Sequence, residues 1–67
     1  MGGRPPVVVL PPASDGGRRV TIHGERMGTA YSLFDVLDFL HQAGLPAEDA
    51  AVDDAELIEW RGSGRYD

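Results

Sequence analysis

The side chains that could do acid–base or metal chemistry here are two histidines, His23 and His41, and eleven carboxylates. A zinc-like ion would need three or four such groups at ligand spacing. That spacing is missing: there is no His-x-x-x-His and no His-Glu-x-x-His. The chain has no cysteine, which removes thiolate sites, iron–sulfur clusters and a cysteine nucleophile. His41 follows Asp38 by three residues, an ordinary surface pair on a helix. Ser14, Ser32 and Ser63 lack the Gly-x-Ser-x-Gly context of a hydrolase nucleophile. No phosphate-loop or dinucleotide glycine pattern occurs; Gly62-Ser63-Gly64, between Arg61 and Arg65, is at most a small anion-binding nest. The residues therefore predict no catalytic group, no metal and no cofactor.

Binding chemistry is better represented. Net charge is −5, but residues 1–30 carry four arginines against two acids, while residues 31–67 carry two arginines against nine. From Asp35 to Glu59 there are eight acids and no Lys or Arg. Such a surface repels a phosphate backbone and attracts a basic protein. Arg18, Arg19 and Arg26 are the residues that could contact an anion or nucleic acid. Val8, Val9, Phe34, Phe39 and Trp60 are the apolar candidates for an interface. Phe34 and Phe39 point to opposite flanks of one helix, so both cannot sit at the centre of a small core.

The elements that position these groups follow from pattern. Val7-Val8-Val9-Leu10 is a β-branched run between two Pro-Pro pairs, which predicts a strand, with the prolines favouring a sheet edge. Asp15-Gly16-Gly17 is a turn signal. From Arg18 to His23 the chain alternates: Arg18, Val20 and Ile22 share one side, and Arg19, Thr21 and His23 the other, as in a half-buried strand. The two strands make an antiparallel hairpin, Gly24 ends it, and Glu25 to Ala30 reads as a loop.

Residues 31–45 predict an amphipathic helix with signals at both ends. Ser32 and Asp35 approximate a capping box, and Tyr31 with Val36 a hydrophobic staple. Gly44, Leu45 and Leu40 match a Schellman ending, and Pro46 stops continuation. Pro46 can open a short second helix ending near Val52, with Glu48 and Asp49 in its first turn. A helical turn at 53–56 then leads into a strand at 57–61 rich in strand formers.

The expected fold is α+β: a β-hairpin, one main amphipathic helix and a short C-terminal strand. The alternative is the hairpin with a three-helix, helix-turn-helix-like unit over 32–60. With 67 residues the chain forms one small domain, with flexible tails at about 1–6 and 62–67. No apolar run approaches a bilayer span, and no apolar core follows the N-terminal Arg4 as in a signal peptide. Together with the lack of cysteine this predicts a cytoplasmic protein without a membrane partner. All six basic residues are arginine, and with abundant Gly, Ala, Asp and Val this suggests a high-GC bacterial source.

The functional expectation is a non-catalytic protein-binding or regulatory module. Its acidic helical half, or the Val7–Leu10 edge strand, would engage a protein partner or a second copy in a homodimer. Gly28-Thr29, the leucine-rich helix, Ala43-Gly44 and Glu48-Asp49 partly resemble the helical DNA-binding domains of toxin–antitoxin antitoxins, over about half the chain. The basic residues of a recognition helix are absent there. An antitoxin-like or transcription-associated DNA binder using Arg18, Arg19 and Arg26 is thus the second expectation.

Overall fold

Alternation in the first half of the chain builds a sheet, and the apolar stripe of residues 33–42 lies across it. The computed structural model describes residues 4–62, without the side chain of Asp49. Strands β1 (Val7–Val9), β2 (Arg18–Ile22) and β3 (Glu25–Ala30) precede helix α1 (Leu33–Gln42). A 3₁₀ helix at Asp49–Asp53 and strand β4 (Ile58–Trp60) follow. The sheet has the order β3-β2-β1-β4, with β1 antiparallel to β2, β2 antiparallel to β3, and β1 parallel to β4. This is the α+β arrangement expected, extended by one strand. The three-helix alternative does not form, because 32–60 holds one α-helix, one 3₁₀ helix and a strand.

Two strand assignments differ from the sequence reading. β1 is interior, not an edge: Val7, Val8 and Val9 pair with Ile22, Thr21 and Val20 on one side and with Ile58, Glu59 and Trp60 on the other. The prolines at 5, 6, 11 and 12 lie outside the paired segment, so their missing N–H groups cost the ladder nothing. Glu25–Ala30 is a strand, not a loop. His23 and Gly24 both have positive φ, 54° and 80°, as a two-residue type I′ hairpin turn requires. His-Gly is a weaker sequence signal than Asn-Gly, and the polar composition of β3 suits an outermost strand.

The core follows the alternation. Val7 and Val9 of β1, Val20 and Ile22 of β2, Ala30 of β3 and Ile58 of β4 are buried against Val36 and Leu40 of α1. Phe39 and Leu37 close the sides of this cluster. Gly28 lies opposite Val20, and a Cβ there would come within 2.9 Å of the Phe39 ring. The missing side chain lets the helix sit close to β3.

The C-terminal end of α1 forms the Schellman motif. Gly44 has φ +74°, its N–H donates to the His41 carbonyl at 3.1 Å, and the Leu45 N–H donates to Leu40 at 2.9 Å. Nothing lies within 4 Å of a Cβ built at Gly44, so a substitution there meets backbone strain and no clash. Gly44→Val should therefore cost more than about 1 kcal/mol, a drop of at least roughly 4 °C in melting temperature for a domain this small. Thermal denaturation of the variant checks this, and an unchanged midpoint would contradict the left-handed cap.

The start of α1 departs from expectation. Ser32 is extended and makes no side-chain cap bond; instead the Asp35 carboxylate accepts the Tyr31 N–H at 2.8 Å. Tyr31 is not a staple over Val36. It is 59% exposed, and its hydroxyl donates to Asp15 at 3.0 Å in the β1–β2 connection. The Gly17 N–H and the Tyr31 hydroxyl hold the Asp15 carboxyl below the usual carboxylate range, and the same contact raises the Tyr31 phenol.

Between Pro46 and β4 the expected second helix is a 3₁₀ helix. The Asp54 carbonyl then accepts the N–H groups of Leu57 and Ile58, both at 3.0 Å, turning the chain into β4. Of the tails, residues 1–3 and 63–67 lie outside the described residues, as does most of the Gly-Ser-Gly segment. The Pro6 carbonyl accepts the His23 N–H at 2.8 Å.

Candidate binding surfaces

The arginines fall into two groups. Arg18 shares the inward side of β2 with Val20 and Ile22 and is only 2% exposed. Its Nε donates to the Leu10 carbonyl at 2.8 Å and its Nη2 to the Arg61 carbonyl at 2.7 Å. The guanidinium carbon lies 5.5 Å from the centre of the Trp60 ring. Arg18 thus joins the end of β1 to the end of β4 from inside, and it does not face a ligand in solution. Arg19 and Arg26 are exposed, opposite Thr29 and Thr21 respectively in the β2–β3 pairing.

Alternation places Arg19, Thr21, Val8 and Glu59 on the sheet face away from α1. No described helix covers that face. Toward the His23-Gly24 turn it holds a shallow basin of about 300 Å³ between Arg4, Val8, Thr21, His23, Glu59 and Arg61. The Arg61 guanidinium is paired with the Glu59 carboxylate. Among the described residues the sheet face therefore presents Arg4, Arg19, Arg26 and Arg61 against one acid, Glu59. The other side of the molecule has the reverse charge. α1 carries Asp35 and Asp38, and its connection to β4 carries Glu48, Asp53, Asp54 and Glu56.

The apolar interface candidates separate as sharply. Val9 is fully buried in the core, and Val8 is half-buried and lines the basin. Phe39 packs against the core beside Gly28. Trp60 is half-buried, with its indole N–H donating to the Val52 carbonyl at 3.1 Å and its ring against Arg18, so it ties β4 to the 3₁₀ helix. Phe34 remains on the surface, 79% exposed on α1. One turn further along the helix is Asp38, its neighbour on the same face.

The two histidines are not brought together: His23 is in the β2–β3 turn and His41 in the last turn of α1. Among the described residues no three His, Asp or Glu side chains converge as a metal site would need. Among the same residues no helix is long and apolar enough to cross a membrane.

The site-level signal that the sequence reading missed is the basic sheet face. Arg19, Thr21 and His23 were legible as one wet side of β2, but Arg26 joins them only once the His23-Gly24 turn folds β3 alongside. The described residues form a small two-layer α+β domain with one sheet face covered by α1 and the other covered by no described helix. Comparison with known proteins gives no matching family model, no matching curated protein and no matching solved structure.

Proposed function

We propose that this chain is a non-catalytic protein-binding module whose acidic helical side, anchored by Phe34, engages a basic protein partner. The observation that carries the reading is the 79% exposure of Phe34 on a helix whose outer side bears Asp35 and Asp38. A large aromatic ringed by polar groups is the usual composition of a binding hot spot, and burying it on a partner recovers apolar area that the monomer leaves in water. The carboxylates around it select a basic surface and speed its approach.

Edge-to-edge pairing of two copies along β1 is not available, since both sides of that strand are already paired. Two copies meeting through α1 would bring Asp35 and Asp38 against their own equivalents, so a different protein suits this face better. The DNA-binding alternative has lost Arg18 as a contact and would rest on Arg19 and Arg26. The absence of cysteine and of lysine supports a reducing cytoplasm in a high-GC bacterium as the setting.

Affinity capture from nuclease-treated lysate, with the wild type and with Phe34→Ala and Asp38→Lys variants, tests this. The expected result is a basic protein retained by the wild type and reduced about tenfold or more by either variant. Equal retention by all three, or no retained protein, would end the reading. Both positions are exposed, so the variants should melt close to the wild type.

A further inference from the structure

We propose that the sheet face that no described helix covers is a second binding surface, which receives an acidic polypeptide segment. It lies on the side of the sheet away from α1 and does not depend on Phe34.

The first support is where the arginines go. The chain as a whole is acidic, yet four of its six arginines, Arg4, Arg19, Arg26 and Arg61, border this one face. Of the other two, Arg18 is buried in the fold and Arg65 lies outside the described residues. Solubility alone gives no reason to gather cations on one face of an acidic domain, because mixed signs serve it as well. One carboxylate, Glu59, stands among them, and it is held by Arg61.

The second support is shape. The basin is lined by Val8, Pro5, Pro6, Thr21 and His23, with Arg4 and Arg61 as its arginines. Apolar lining beside the Arg4 guanidinium fits an aliphatic side chain next to a carboxylate, and Arg19 and Arg26 extend the cationic surface on the same face beyond the basin. Acids at alternate positions of an extended segment lie roughly 7 Å apart, close to the spacing of diagonal positions on neighbouring strands such as those of Arg19 and Arg26. Guanidiniums hold carboxylates in two-pronged hydrogen bonds.

A nucleic acid fits less well. Single strands are held by aromatic side chains on which bases stack. The large exposed aromatics among the described residues, Tyr31 and Phe34, lie at the start of α1 and not on this face.

The experiment is a titration of the isotopically labelled protein with a short oligoglutamate peptide at about 50 mM salt, where surface charges are weakly screened. Amide shifts should centre on Val8, Arg19, Thr21 and Thr29, with those of α1 unmoved. An Arg19→Ala/Arg26→Ala variant, folded by circular dichroism, should bind roughly tenfold more weakly or worse. Phe34→Ala should bind as the wild type, which keeps this test separate from that of the helical face. Absent shifts, shifts centred on α1, or tighter binding of an oligothymidylate of equal charge would overturn the proposal.

Discussion

Replacing Arg18 with alanine is expected to destabilise the protein by about 3 kcal/mol, one of the largest losses from a single polar residue here. The guanidinium is buried and donates to two backbone carbonyls, of Leu10 and Arg61, that belong to distant parts of the chain. Removing it leaves both with poorer partners, at roughly 1–3 kcal/mol for each carbonyl kept from water. Alanine also abandons the three-carbon stem and its contact with the Trp60 ring. Burying a cation carries its own desolvation cost, which works against this total. That cost is smaller for a delocalised guanidinium than for an ammonium, so the lost bonds and packing should win.

Two further variants apportion the effect. Arg18→Met keeps the stem and loses the donors; Arg18→Lys keeps the charge and loses the planar fork. Each should cost about 2 kcal/mol, giving an order of wild type, then Met and Lys together, then Ala. Chemical denaturation reads these differences directly. An Arg18→Met protein as stable as the wild type would show that the buried hydrogen bonds contribute nothing net.

Gly28→Ala is the second large effect, also expected near 3 kcal/mol. Two terms add. The φ of +154° is one that side-chain-bearing residues rarely adopt, at about 1–3 kcal/mol. The new methyl would sit 2.9 Å from the tip of the Phe39 ring, and overpacking of this kind costs about 1–3 kcal/mol. The clash is separable from the strain, because Phe39→Leu removes the ring atoms that the methyl meets. The double variant should therefore recover about 1 kcal/mol relative to additive expectation. Additive losses would assign the whole cost to the backbone, and a Gly28→Ala protein that melts with the wild type would mean α1 does not sit against β3 as described.

What the chain determines by itself is local. The alternation from Arg18 to His23 placed Arg18, Val20 and Ile22 on one side of β2, and they are all buried. Leu40, Gly44 and Leu45 specify the end of α1 because a Schellman motif is closed by residues within one turn of each other. The β-branched run at 7–9 and the strand formers before Gly62 each announce a strand, since those preferences also act over a few residues.

Tertiary structure decided the rest. Whether a strand is edge or interior depends on what arrives beside it, and β1 became interior only because residues 58–60, some fifty positions away in sequence, pair with 7–9. No local pattern carries that information. A buried arginine and an exposed one look alike in sequence; Arg18 and Arg19 differ because one side of β2 meets the core and Trp60 while the other meets no helix. Gly28 reads as a loop residue until Phe39 is packed over it. The basic face is likewise a product of folding. Arg4, Arg19, Arg26 and Arg61 come from four separate segments, and only the pairing of β3, β2, β1 and β4 brings them to one surface.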